Sequence, residues 1–156
     1  NRTSSMSRKW FDNKVPNNEK ISRENKLEHL AKIAVVNYLD KFNNYKLDLA
    51  ANEVLSLAIN TNLYLNDTQP WLLIKEKEKL PLVKEIIYNV LESTRIIGLL
   101  LLPLLPELSS KINDQLGSLY KKEVPWEKQL IWGLLIGNSR LPRPVPIISK
   151  LEYDQI

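Results

Sequence analysis

Side chains that could bind a flat, polar ligand collect between Asn62 and Trp71. Apolar and small residues lead up to them at three- and four-residue steps, the spacing of one helix face: Leu47, Ala50, Ala51, Val54, Leu55, Ala58 and finally the amide Asn62. Tyr64 follows, and after a polar break at residues 66–69 the chain reads Pro70-Trp71. Because proline fits the first turn of a helix, we expect Trp71 at a helix entrance with its ring half exposed.

The sequence contains few residues that are suited to catalysis. There is no cysteine, which excludes disulfides, thiolate metal sites and a cysteine nucleophile. The one histidine, His29, follows the charged residue Glu28, and alone it can build neither a zinc site nor two-histidine chemistry. The four glycines form no phosphate-binding loop, and no pair of carboxylates falls among other site-like residues. We therefore predict no catalytic residue and no metal site, and interpret the sequence as that of a binding module.

The composition is that of one globular domain with a mild positive charge. At 156 residues, roughly two-thirds of the unfolded chain's surface can be buried. A formal charge of +4 favours contact with a polyanion without establishing it. The longest apolar run, residues 96–105, is shorter than the about 20 residues that cross a bilayer, and nothing resembles a signal peptide. We predict a soluble, cytoplasmic protein, with an organelle as the alternative location.

Periodicity predicts an all-α bundle of about five helices with short connections, forming a single domain over residues 1–156. The expected helices cover residues 2–10, about 23–43, 46–64, 80–102 and 107–116, with Ser22 as a possible cap of the second. The fourth is apolar all round in its second half, which favours burial in the middle of the bundle. We expect the first helix to lack its upstream turn and residues 140–156 to form an extended, proline-rich tail.

Several short motifs follow one another in order along the chain: Asn62-x-Tyr64, Pro70-Trp71, Lys75, Arg95, Pro103, Pro106, Trp126 and a proline-rich closing segment that ends at Glu152. Together they resemble the C-terminal anticodon-binding domain of methionyl-tRNA synthetases, which are class I aminoacyl-tRNA synthetases. The resemblance covers nearly the whole chain and implies a helical bundle, in agreement with the periodicity.

The resemblance also implies which residues contact RNA. The family's tryptophan after the proline stacks on the first anticodon base, a cytosine, and Trp71 matches it. Alignment of Phe11-Asp12 with the family's Phe-Asp places Arg2 on an arginine that contacts the anticodon. The family's asparagine four residues before that arginine has no counterpart here, so the site is expected to be incomplete by about one helical turn. The candidate anticodon-binding residues are Trp71, Arg2, Asn62 and Tyr64.

Each candidate also has a structural interpretation. Trp71 could pack in the core, although the family match favours the binding role. Asn62 is interpreted first as a structural amide that bonds a neighbouring backbone group or Tyr64, and for Tyr64 the two roles are equally weighted. Arg95, in a largely apolar helix, is predicted to form a structural ion pair with Glu92 or Glu107 and is not counted among the site residues.

The function implied is recognition of the CAU anticodon by the non-catalytic domain of a methionine–tRNA ligase. No cofactor is expected in this chain, whereas the parent enzyme would use ATP and Mg²⁺. The expected partners are the anticodon loop of tRNA-Met and the catalytic domain of the parent chain, without a membrane. The alternatives are a helical interaction or scaffold domain, and the equivalent domain of another class I synthetase.

Overall fold

The computed structural model describes residues 2–18, 20, 22 and 24–148. In this part of the chain six α-helices and no strand are found: α1 (Arg2–Trp10), α2 (Lys26–Asn43), α3 (Leu47–Thr68), α4 (Pro70–Leu73), α5 (Leu80–Leu101) and α6 (Pro106–Gln115). Short 3₁₀ turns occupy Lys77–Lys79 and Trp126–Gln129. The predicted all-α bundle of about five helices is confirmed, with α4 as one additional turn.

Helix α2 begins at Lys26, later than predicted, because Asn25 and not Ser22 provides the cap. The Asn25 side chain accepts a hydrogen bond from the Glu28 amide at 3.1 Å, as an N-cap residue does. Ser22 instead donates its hydroxyl to the Glu85 carboxylate at 3.0 Å. Ser22 has the sequence position of a cap, but its hydroxyl bonds a residue of α5, a helix far along the chain. The sequence around Ser22 does not predict this contact.

Helix α3 differs from the prediction in its end and in its buried face. It continues to Thr68, whose hydroxyl donates to the Tyr64 carbonyl at 2.7 Å, and it stops at Gln69 in a left-handed conformation, φ 46°. The predicted polar break is thus the exposed last turn of the helix. The residues that α3 buries are Ala50, Val54, Leu57, Thr61 and Leu65, whereas Leu47, Ala51, Leu55 and Asn62 are exposed.

Helix α5 lies at the centre of the bundle, as its apolar pattern predicts. Most of its residues are buried, and α1, α2, α3, α4 and α6 all pack against it. One hydrophobic cluster joins α5 to α2, α3 and the 130–132 segment, and a second joins it to α6 and the chain around Val15 and Leu141. Helix α5 is therefore the shared helix against which the other helices pack.

A buried ion pair on α5 fixes the chain after α6. Arg95 donates to Glu92 through Nε at 2.8 Å and Nη2 at 2.6 Å, which confirms the predicted structural pair with Glu92. Arg95 also donates to the carbonyls of Gln129 and Ile131. The Glu92 carboxylate accepts further hydrogen bonds from the backbone amides of residues 133–135. Both Glu92 oxygens and four of the five Arg95 N–H groups are thus bonded, the condition under which a buried pair is tolerated.

The proline-rich tail contains no helix as far as it is described, and its last two described residues, 147 and 148, form a bend. Residues 138–141 run beside residues 13–15, with an isolated antiparallel bridge between Lys14 and Arg140. Further along, the Val145 amide donates to the Gln115 side chain at 3.0 Å. Residues 141–148 contain neither helix nor strand. The remainder of the predicted tail, residues 149–156, lies outside the described residues, as does Asn1.

Candidate nucleic-acid interface

Trp71 lies at a helix entrance, where the sequence places it. Gln69 ends α3 in the left-handed conformation, Pro70 occupies the first position of α4, and Trp71 follows in the first turn. Pro70 is buried, whereas Trp71 is half-buried and packs one part of its ring against the core. The core therefore orients the indole while part of its surface stays open to a ligand. The two interpretations of Trp71, packing and binding, are compatible in this geometry.

Arg2 and Trp71 meet across the bundle surface although they lie far apart in the sequence. The Arg2 Cζ atom lies 4.5 Å from the centroid of the Trp71 ring, the distance of a cation–π contact. The guanidinium Nη1 also donates to the Asn66 side-chain oxygen at 2.8 Å. A planar, positively charged donor is thus held over an aromatic face.

Asn66 is a member of this group that the sequence interpretation misses. Its polar neighbours predict a break in the helix, whereas it lies on α3 one turn after Asn62. Both side chains are exposed, as expected for residues four apart on one helix. If the helix had been predicted to continue to Thr68, the four-residue spacing from Asn62 would have placed Asn66 on the same face as a candidate site residue.

Within the described residues, Asn62 does not form the structural hydrogen bond that the sequence predicts. Its side chain is exposed and has no hydrogen-bond partner within the described residues. The buried polar position is the preceding residue, Thr61, whose hydroxyl lies 2.6 Å from that of Ser93 on α5 and donates to the Leu57 carbonyl. Asn62 therefore presents an exposed amide that has no partner among the described residues, one helical turn before the asparagine that bonds Arg2.

Tyr64 is half-buried and is held against the bundle by a chain of polar groups. Its hydroxyl accepts a hydrogen bond from the Asn89 amide at 3.2 Å, and Asn89 in turn accepts one from Asn25 at 2.9 Å. Burial raises the pKa of the Tyr64 hydroxyl above its usual value, with the Asn89 hydrogen bond acting in the opposite direction. These contacts link α2, α3 and α5, which gives Tyr64 a structural role in the free chain.

The part of the chain that the structure describes has neither a candidate metal site nor a membrane-spanning helix. The described residues include no group of three or more histidine, cysteine, aspartate or glutamate side chains that could hold a metal ion. None of the helices described has the length and apolar character required to cross a bilayer. What the described surface offers around Trp71 is an aromatic face, a guanidinium and two amides.

The fold is shared with solved aminoacyl-tRNA synthetases. Methionyl-tRNA synthetase of Mycobacterium tuberculosis in its apo form superposes with a TM-score of 0.78 at 24% sequence identity, covering 97% of this chain and 30% of that one. The same enzyme in complex with methionyl-adenylate gives a TM-score of 0.75 over 96% of this chain. The chain therefore has the fold of a part of that methionyl-tRNA synthetase.

Sequence comparison identifies the family within this class. Residues 15–155 match the anticodon binding domain of methionyl tRNA ligase. Methionine–tRNA ligase of Thermosynechococcus vestitus is 33% identical over 97% of this chain and 30% of its own length, and that of Halalkalibacterium halodurans is 29% identical over 99% and 24%. The chain belongs to the anticodon-binding domain family of methionyl-tRNA ligases. It spans about a quarter to a third of these relatives, and nothing in the comparisons supports a scaffold domain or another synthetase.

Proposed function

We propose that this chain recognises the CAU anticodon of tRNA-Met by stacking the first anticodon base on Trp71. The observation that carries the proposal is the half-buried Trp71 ring with the Arg2 guanidinium 4.5 Å from its centroid. Single-stranded loops are read by splaying bases onto aromatic or guanidinium planes and bonding their edges. Because the Arg2 guanidinium lies over the Trp71 ring, a base stacks on this ring when Arg2 moves from the ring to the base edge. Family membership supports the same assignment.

The side chains around the ring have the hydrogen-bonding groups that a cytosine edge requires. Cytosine presents an amino donor beside ring-nitrogen and carbonyl acceptors. Arg2 carries only donors and suits the acceptors, and Asn66 holds it in place. The exposed amide of Asn62 carries a carbonyl that accepts from the amino group. Tyr64 would support α3 beneath these amides through its bond to Asn89 rather than contact a base.

The chain is proposed to act as the non-catalytic domain of a longer methionine–tRNA ligase. Its match is to the anticodon-binding domain of methionyl-tRNA ligases, and it spans 30% and 24% of two such relatives. In this assignment ATP and Mg²⁺ bind in the catalytic domain of the parent chain, which is the second partner after tRNA. The proposed location is the cytoplasm or an organelle, wherever translation takes place.

The role of Trp71 can be tested by comparing two neighbouring substitutions on α4. Trp71→Ala should weaken binding of a CAU stem-loop RNA by about five- to 150-fold, because stacking of one base is worth about 1–3 kcal/mol. Leu72→Ala is the matched control, since Leu72 is exposed on the same turn and should leave affinity unchanged. Affinity is measured by fluorescence anisotropy and helical content by circular dichroism. Equal affinities for wild type and a folded Trp71→Ala variant would contradict the proposal.

A further inference from the structure

A second positively charged site lies at the far end of α1. A cleft of about 380 Å³ is lined by Arg8, Asn13, Arg140, Leu141, Pro142 and Arg143. Half of these residues are arginines and none is acidic. Arg8 belongs to the last turn of α1, the helix that begins with Arg2. At 1.5 Å per residue, the two arginine backbones are about 9 Å apart along the helix axis.

The walls of the cleft are fixed by backbone hydrogen bonds. The Leu141 amide donates to the Asn13 carbonyl at 2.6 Å, and the Val15 amide donates to the Ser139 carbonyl at 2.9 Å. Leu141 itself is buried at 3% exposure and anchors the tail between Arg140 and Arg143. The tail therefore carries its two arginines on a backbone that is already held against the loop after α1, next to Arg8.

The guanidinium groups in the cleft have no partners of their own within the described residues. Arg8, Arg140 and Arg143 are exposed, and none has a side-chain hydrogen bond or an ion pair there. This differs from Arg95, whose guanidinium is bonded to a carboxylate and two carbonyls. Three like charges gathered without an ion-pair partner among the described residues repel one another and favour an anion between them.

We propose that this cleft binds phosphodiester groups of the RNA backbone, as a contact separate from base reading at Trp71. Arginine suits the role because its planar fork donates two parallel hydrogen bonds to phosphate oxygens. Backbone contacts fix the position of an RNA without reading its sequence. The inference rests on the proposed function, since α1 connects the cleft to the Arg2–Trp71 pair and one hairpin could contact both.

The test compares two triple substitutions that remove the same charge. One variant carries Arg8→Gln, Arg140→Gln and Arg143→Gln in the cleft. The other carries Lys111→Gln, Lys122→Gln and Lys128→Gln, which are exposed and outside the cleft. Binding of a CAU hairpin and of the same hairpin with a different anticodon is measured at several salt concentrations, and circular dichroism verifies folding.

The arginine variant should bind both hairpins at least about tenfold more weakly and by the same factor, with its preference for CAU retained. Removal of each phosphate-binding arginine should lower the slope of log K against log[salt] by about 0.7–0.9. The lysine variant should keep the wild-type slope. The two hairpins have the same backbone, so a variant that loses only backbone contacts should lose affinity for both by the same factor.

Two results would overturn the inference while leaving the proposed function intact. The first is an arginine variant that loses no more affinity and slope than the lysine variant, which would reduce the effect to net charge. The second is a loss of CAU preference at unchanged slope, which would make the cleft part of base reading. Conversely, the wild-type chain could show no preference for CAU while its salt slope still depends on these arginines. That result would refute the proposed function and support the inference that the cleft binds phosphodiester groups. Failure to bind either hairpin would overturn both.

Discussion

The arginine above Trp71 is positioned by an amide and not by a carboxylate. Asn66 accepts the Arg2 hydrogen bond at 2.8 Å, and as a neutral partner it orients the guanidinium without neutralising its charge. That charge stays available to an anionic ligand, and the remaining N–H groups stay available to a base edge. Asn66 is thus a positioning residue for Arg2 in the proposed site.

Substitution of Asn66 should weaken RNA binding through Arg2. One hydrogen bond contributes about 1 kcal/mol, so Asn66→Ala is expected to lower affinity for the CAU hairpin about fivefold. The double variant with Arg2→Ala should bind no more weakly than Arg2→Ala alone, because the two side chains act as a unit. Asn60→Ala is the matched control, since the Asn60 amide donates to the Ser56 carbonyl of its own helix. Additive effects of the Asn66 and Arg2 substitutions would contradict this coupling.

Two buried tyrosines provide a second comparison at the level of single residues. The Tyr88 hydroxyl donates to the Leu135 carbonyl at 2.9 Å, whereas the buried Tyr38 hydroxyl has no partner within the described residues. Tyr88→Phe should therefore lower the free energy of unfolding by about 1 kcal/mol, and Tyr38→Phe should leave it unchanged or raise it. Urea denaturation measures both. A larger loss for Tyr38→Phe than for Tyr88→Phe would show that Tyr38 has the more important bond.

At the level of helices, the success of the sequence interpretation depends on local signals. The limits of α1, α5 and α6 are predicted to within one or two residues, because proline and apolar periodicity act within a few residues of each boundary. The predicted start of α2 is wrong because Ser22 bonds Glu85 on α5. The predicted end of α3 is wrong because a polar, exposed turn looks like a loop when only its composition is considered.

The Glu92–Arg95 pair is the contact through which α5 holds the chain after α6. Glu92→Gln removes the charge that balances buried Arg95 and weakens the acceptor for the amides of residues 133–135. We expect a loss of about 3–5 kcal/mol in the free energy of unfolding, a large part of the total for a domain. Lys32→Gln, which breaks the exposed pair with Glu28, should cost at most about 0.5 kcal/mol. Similar losses for both substitutions in urea denaturation would contradict this.

At the scale of the whole molecule, stability should depend on alkaline pH through the buried tyrosines. Burial raises the pKa of both Tyr38 and Tyr88 to about 12, from 10 in the unfolded chain. Between pH 10 and 12 the unfolded chain loses these protons and the folded chain keeps them. The stability that the neutral hydroxyls contribute is thus complete below pH 10 and is lost as the pH rises towards 12.

This pH dependence can be measured by urea denaturation at several values between pH 9 and pH 12. The free energy of unfolding should decrease by up to about 1.4 kcal/mol per pH unit for each of the two tyrosines. Tyr38→Phe should make the decrease shallower, because phenylalanine carries no proton to lose. Stability that stays constant from pH 10 to pH 12 would contradict the raised pKa values.

The site as a whole could be predicted only in part. The helix entrance at Pro70-Trp71 follows from local signals, and the structure has it there. That Arg2 lies over Trp71 does not follow from periodicity, since the contact joins helices at opposite ends of a long sequence interval; the family resemblance alone placed both residues in one site. The sequence does not predict the cleft with Arg8 and Arg143, because the cleft forms only where the tail runs beside residues 13–15. That path depends on backbone hydrogen bonds.

The central claim, that this chain reads the CAU anticodon, is tested most directly by changing one base of the ligand. Affinity of the wild-type chain is measured for a CAU hairpin and for three hairpins that differ from it only at the first anticodon position. We expect the CAU hairpin to bind tightest, and we expect Trp71→Ala to bring the four affinities together. Equal binding of all four hairpins by the wild-type chain would contradict the claim.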